Sequence, residues 1–149
     1  MSNTPQRRIG RILLPIDLGH PSSWKKALPT ALDQARFHGA RLDVLTVIPS
    51  MGMPVVGSFF PSDYEDKALE EAKQALSKWM DENMPDDVEA KGHVTMGTIY
   101  SEIIEAADKL GAEMIVMASH RPAMKDYLLG PNAARVVRHA TQDVLVVRS

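Results

Sequence analysis

The sequence predicts an α/β protein, a doubly wound parallel sheet with helices on both faces. Short apolar runs rich in branched residues alternate along the chain with stretches of helical spacing. The runs are joined by helical crossovers rather than tight turns, which gives the order β-α-β-α-β-α-β-α-β. Apolar strands connected in this way belong to a parallel sheet covered on both faces, with right-handed crossovers.

Residues 11–17, "RILLPID", read as the first strand. In 21–40 the residues Trp24, Ala27, Leu28, Ala31 and Ala35 and the stem of Arg36 fall along one helical face, with Pro21 near the start and Gly39 at the expected C-cap. Pro29 removes a helix donor and clashes one turn back, so it predicts either a kink or a start later than Pro21. Residues 41–48, "RLDVLTVI", are the second strand. The connection 49–63, "PSMGMPVVGSFFPSD", is too rich in Gly and Pro for regular structure and too apolar for a merely solvated loop, so it is expected to be a lid or a contact surface.

Residues 64–84 form a strongly patterned helix, with Ala68, Leu69, Ala72, Leu76 and Trp79 on one face and mixed charge on the other. A half-exposed strand follows at 87–96. The helix at 98–112 turns Ile99, Ile103, Ile104 and Ala107 inward and closes on Gly111. Strands at 113–119 and 143–148 flank a last helix at 130–140.

Composition narrows the function classes. The 149 residues suit one domain spanning 1–149, with room for a substantial core. Seventeen basic and nineteen acidic side chains leave a net charge of -2, which gives no bulk attraction for nucleic acid or an anionic membrane. With no cysteine there is no disulfide framework, thiolate nucleophile or cysteine-bound metal. The start "MSNTPQRR" is polar and the run "ILLPI" is too short for a signal-peptide core or a membrane span. A cytoplasmic location is expected.

Open parallel sheets bind ligands beyond the carboxyl ends of their strands, where the strand order switches. Here those ends are residues 15–18, 47–50, 96–97 and 117–121. The stretches "ILLPID", "LTVIP", "GTIYSEIIEAADKLGAEMIVMASH" and "LLGPNAARVVRHATQDVLVVR" together resemble the universal stress protein family over nearly the whole chain, most specifically in the C-terminal half. The resemblance implies a Rossmann-like five-stranded sheet in the order 3-2-1-4-5, and a homodimer built through the last strand. It also implies a stress-response or signalling role, with ATP bound in one branch of the family and not in another.

The nucleotide-binding branch carries Gly, two residues, Gly, nine residues, then Gly and Ser or Thr. This chain departs from that pattern: Ala118 and Arg121 stand at the first two glycines, the spacer to Gly130 is eight residues, and Pro131 replaces the hydroxyl residue. The same segment is similar to a small bacterial subgroup, the universal stress protein F type, in which nucleotide binding survives a shortened loop. ATP is therefore the expected ligand, with Mg2+ carried on its phosphates.

Each candidate residue has a functional and a plain reading. Asp17 would accept from the adenine amino group or a ribose hydroxyl, or cap the following turn. Pro15, Ile16 and Val47 lie at strand ends; Pro15 and Val47 would line an adenine slot, or simply belong to the core. Gly97 would allow a ribose or phosphate to approach the backbone, or serve a turn of positive φ. Met117, Ala118 and Ser119 end the fourth strand. His120 would donate to a phosphate or act as a base, or be structural. Arg121 would pair bidentately with phosphate oxygens, point to solvent, or block the site.

Gly130, Pro131, Asn132 and Ala133 open the last helix, whose N-terminus offers unpaired amides and a positive dipole end to an anion. Pro131 suits the first helical position but gives no donor. That leaves the amides of Asn132, Ala133 and Ala134 and the Asn132 carboxamide. Arg135, one turn on, would reach the phosphate tail, whereas Arg138 and His139 near the helix C-terminus oppose its dipole.

The strand 143–148 has no later element to cover its edge, so pairing of 144–148 across a two-fold axis would complete a homodimer. The loop 49–63 is a candidate contact for a protein partner. Two functional classes follow: a nucleotide-binding stress or signalling module with at most slow ATP hydrolysis, or a nucleotide-free dimerisation and interaction module. No "GKS" or "GKT" is present and no carboxylate is placed to orient a water, so no catalytic residue is assigned.

Overall fold

A computed structural model of the protein describes residues 5, 7–50, 64–119 and 130–148. Their strands are β1 (Arg11–Ile16), β2 (Arg41–Pro49), β3 (Ala90–Gly97), β4 (Met114–Ala118) and β5 (Asp143–Val147). They form one parallel sheet in the order β3-β2-β1-β4-β5, as expected. The helices are α1 (Ala27–His38), α2 (Tyr64–Asn83), α3 (Ile99–Leu110) and α4 (Pro131–His139). None of the described helices is long and apolar enough to cross a membrane. The loop expected to be a lid or contact surface lies, from residue 51 to 63, outside the described residues.

The chain winds from β1 outward to β3, then returns to the far side of β1 as β4 and continues to β5. With right-handed crossovers, that reversal places α1 and α2 on one face and α3 and α4 on the other. The core divides accordingly. Ile12, Leu14, Leu42 and Val44 pack with Ala31, Leu76 and Trp79 on the first face. Leu13, Leu45, Ile115 and Met117 pack with Ile103, Ala107, Ala133 and Val136 on the second. Trp24, from the turn before α1, meets Trp79 of α2 edge to face at 5.4 Å between ring centroids, a favourable aromatic geometry.

Pro29 is accommodated by the later start rather than by a kink. A 3-10 turn at Pro21–Ser23 precedes α1, whose first residue is Ala27. Pro29 is then third in the helix, where its amide would have had no intrahelical acceptor in any case. At the other end Gly39 adopts φ +66°, and the amides of Gly39 and Ala40 return to the carbonyls of Arg36 and Ala35. Only a residue without a Cβ enters that left-handed conformation without strain.

Among the described residues, one carboxylate lies buried in the sheet interior. Asp43 of β2 is fully buried on the α3 face. His93 Nε2 lies 2.8 Å from its Oδ1 and Arg41 Nη2 lies 3.3 Å from the same oxygen, while Oδ2 has no hydrogen-bond partner. A buried carboxylate depends on such partners, because removing one leaves charge uncompensated in a poor solvent for it. His93→Leu is therefore expected to lower the unfolding free energy by about 3 kcal/mol, and adding Asp43→Val should restore most of the loss. Urea denaturation of the two variants checks this, and an undiminished loss in the double variant contradicts it.

On the surface, Arg36 Nε donates to Asp87 Oδ2 at 2.7 Å and Nη2 to Oδ1 at 3.2 Å. This side-chain hydrogen bonding holds the Asp87 carboxyl below its ordinary value and raises the Arg36 guanidinium. A carboxyl depressed by folding stabilises above its unfolded pKa, and the contribution is lost as pH falls through the folded value. Arg36→Ala should raise the Asp87 pKa in an NMR titration, and its stability should converge with wild type in acid. An Asp87 pKa that does not move overturns this assignment.

Candidate functional site

The sheet parts at one seam. β1 pairs with β2 from Arg11–Arg41 through Ile16–Thr46, and β4 pairs with β5 through Ala118–Val147. Between β1 and β4, however, pairing covers only Ile12–Met114 and Leu13–Ile115. Beyond Leu13 a cleft of about 540 Å³ opens between the carboxyl ends of the two strands. This is the switch point of the strand order.

The expected residues Pro15, Ile16, Asp17, Val47, Met117, Ala118, Ser119, Gly130, Pro131, Asn132 and Ala133 all line this cleft. Two do not. Gly97 stands at φ +153°, and an added Cβ would come within 3.0 Å of Glu102 side-chain atoms. Its lack of a side chain thus answers to the turn and to Glu102, and ligand approach is not needed to explain it. Arg135 does not face the cleft either, because its guanidinium lies 4.9 Å from the centroid of the Tyr100 ring on α3. His120 and Arg121 lie outside the described residues.

Leu45, Ile99, Ile103 and Pro49 join the apolar wall, and His20, Ser22 and Ser23 form the polar rim; Pro49 lies in the strand end 47–50 read from the sequence, and the other six were not named there as site residues. Leu45 was within reach, since it lies two residues before Val47 on the same face of β2. The rim depends on how the connection after β1 folds back. Asp17 Oδ1 accepts the Gly19 amide at 3.0 Å, and Oδ2 lies 2.9 Å from His20 Nδ1. Asp17 therefore does cap its turn. Its side chain remains 58% exposed, and each carboxylate oxygen has a further lone pair, so capping leaves it able to accept from a ligand.

Ser23 closes the loop. Its Oγ accepts the Asp17 amide at 2.8 Å and lies 2.7 Å from the His20 carbonyl and 3.0 Å from the Asp17 carbonyl, one of which receives its proton.

At the opposite rim, α4 points its N-terminus at the cleft. Gly130 is the N-cap, and its amide donates to the Ser119 carbonyl. Pro131 has no amide hydrogen, and the Ala134 amide is taken by the Gly130 carbonyl at 2.9 Å. Ala134, expected to be a free donor, is thus already engaged in the first helical bond. The amides of Asn132 and Ala133 and the Asn132 carboxamide have no partner among the described residues. No three His, Asp or Glu residues among those described are grouped to hold a metal ion.

The fold and this cleft define a doubly wound, open-sheet α/β protein with its candidate site at the switch point. The family model described as "Universal stress protein family" matches residues 8–148, and the chain belongs to that family. Universal stress protein G of Shigella flexneri and of Escherichia coli O157:H7 is 32% identical over 139 residues, covering 92% of this chain and 97% of the relative. The solved universal stress protein UspA from Lactobacillus plantarum superposes with a TM-score of 0.77 at 22% identity, covering 96% of this chain and all of that one. A universal stress protein solved in complex with cAMP matches with a TM-score of 0.60 at 20% identity, over 95% of this chain and 98% of that one. Both structural likenesses are likenesses of fold.

Ser23→Ala removes the acceptor that holds the Asp17 amide. It is expected to cost about 1 kcal/mol and to speed exchange of the Asp17 amide measured by NMR. Unchanged exchange at that amide contradicts the closing role.

Proposed function

We propose that the cleft binds an adenine nucleotide, with ATP as the expected form, and that the protein acts as a nucleotide-binding stress-response or signalling module. The observation that carries the reading is the joining of an apolar slot and an anion-accepting helix end in one cleft. Pro15, Val47, Ile103 and Met117 offer apolar surface for a flat base, and Asp17 offers an acceptor at the rim. The amides of Asn132 and Ala133, at the positive end of α4 and with no acceptor among the described residues, suit a phosphate. A relative of the same fold was solved with cAMP, which joins adenine and phosphate in one ligand. A bound Mg2+ would be held by the phosphates, since no protein ligand set among the described residues offers one.

A second reading has its own support. The phosphate end has lost the Gly130 amide to Ser119 and has no donor from Pro131. Among the described lining residues there is no Lys or Arg. A nucleotide-free interaction module is consistent with so sparse a seat. In either case β5 is an edge strand whose outer side no described strand pairs, and pairing of residues 144–148 with a second copy would form the homodimer. At most slow hydrolysis is expected, because Asp17 is the single carboxylate among the described lining residues and it is tied to its own turn.

Thermal denaturation with and without millimolar ATP and magnesium separates the two readings. Ligand at one hundred times its dissociation constant adds about 2.7 kcal/mol, which raises the melting temperature by several degrees. No shift, together with no nucleotide in the purified protein, would leave only the second reading. Pro131→Ser returns one amide and one hydroxyl to the seat, and is expected to tighten ATP by roughly threefold to tenfold. Equal affinities in isothermal titration calorimetry contradict the account of the missing donors.

A further inference from the structure

Pro15 is an unusual residue to find in the middle strand of a five-stranded sheet. Proline cannot donate to a ladder, so it is normally confined to edge strands, strand starts and bulges. The backbone bonds show which neighbour loses the donor. The Arg41 amide donates to the Gly10 carbonyl, so the even residues of β1 serve β2, whereas the Glu113 amide donates to the Arg11 carbonyl, so the odd residues face β4. Residue 15 therefore faces β4. With Leu13 opposite Ile115, the next bond of a parallel ladder would run from the amide of residue 15 to the carbonyl of Val116. That amide hydrogen does not exist. The β1–β4 ladder ends at this step, while β1–β2 continues to Ile16 and β4–β5 to Ala118.

We propose that Pro15 is the positioning residue of the cleft: by withholding the one donor that would carry the β1–β4 ladder past Leu13 and Ile115, it keeps the two halves of the sheet apart where the site lies. Residues on both sides of the parting, Pro15 and Ile16 on β1 and Met117 and Ala118 on β4, line the cleft. The sheet is held open from its centre, and the opening does not wait for a ligand. This goes beyond a contact role for Pro15 and does not require that the ligand be a nucleotide.

Pro15→Val and Pro15→Ala each return the amide, and either one carries the test if the other folds poorly. Crystal structures of the full-length variants should show the ladder extended to Leu14–Val116 and the cleft reduced in volume. Amide exchange at residue 15 should be slowed by about tenfold or more relative to an unstructured amide. A ladder that still ends at Leu13, or a residue 15 amide that exchanges freely, overturns the proposal, as does an extended ladder beside a cleft of unchanged volume. ATP with magnesium, titrated calorimetrically into wild type and variants, is a separate arm. If wild type binds, the variants should bind about tenfold more weakly, and equal affinity overturns the positioning role. If wild type binds none, the nucleotide reading fails while the ladder and cleft measurements still decide the role of Pro15.

Discussion

The reversal of winding between β3 and β4 is the constraint on which the rest of the structure depends. Right-handed crossovers carry α1 and α2 to one face of the sheet and α3 and α4 to the other, so the helices that follow β1 and β4 lie on opposite faces. A pair of adjacent parallel strands followed by helices on opposite faces favours a crevice at its carboxyl end, and Pro15 fixes where along the strands it begins. The chain then furnishes that crevice from both sides. Asp17 and Ser23 fold one exit into a hydrogen-bonded turn, and Gly130, bonded back to Ser119, starts α4 at the other.

The cleft is also continuous with one half of the core. Leu45, Ile103, Met117 and Ala133 belong to the apolar cluster under α3 and α4 and line the cleft as well. The slot is thus the open end of a packed interior, and the packing that stabilises the fold also fixes the position of its walls. The buried Asp43 lies on the same face of β2, two residues before Leu45. Asp43 and its partner Arg41 lie toward the start of β2, and Leu45 and Val47, nearer its carboxyl end, line the cleft.

At the α4 end of the cleft the helix supplies fewer free donors than its position promises. A helix N-terminus has several unpaired amides, but here one is absent at Pro131 and the N-cap amide is bonded to Ser119. The proline and the Ser119 bond favour a sharply defined helix start at the expense of donors. Proline acts twice in this site, at residues 15 and 131. In both places the missing amide hydrogen shapes the cleft: at residue 15 it ends the β1–β4 ladder, and at residue 131 it leaves the start of α4 one donor poorer.

Much of this was legible in the chain itself. Apolar runs and helical periods fixed the type and order of the elements, because burial on one or two faces leaves a repeat that neighbours in sequence record. The strand ends then named Pro15, Asp17, Val47, Ser119 and the "GPNAA" helix start as candidates, and of these Pro15, Asp17, Val47, Ser119 and residues 130–133 line the cleft. Local sequence does not record which groups already have partners. That the Ala134 amide closes the first helical bond and that Gly97 makes room for Glu102 depend on how α4 and α3 begin, and that Arg135 lies over Tyr100 was decided by packing between elements distant in sequence. The same is true of Pro15: the sequence places a proline in a central strand, but only the register of β1 against β4 shows which hydrogen bond it denies, because a missing donor has consequences only where an acceptor has been brought opposite it.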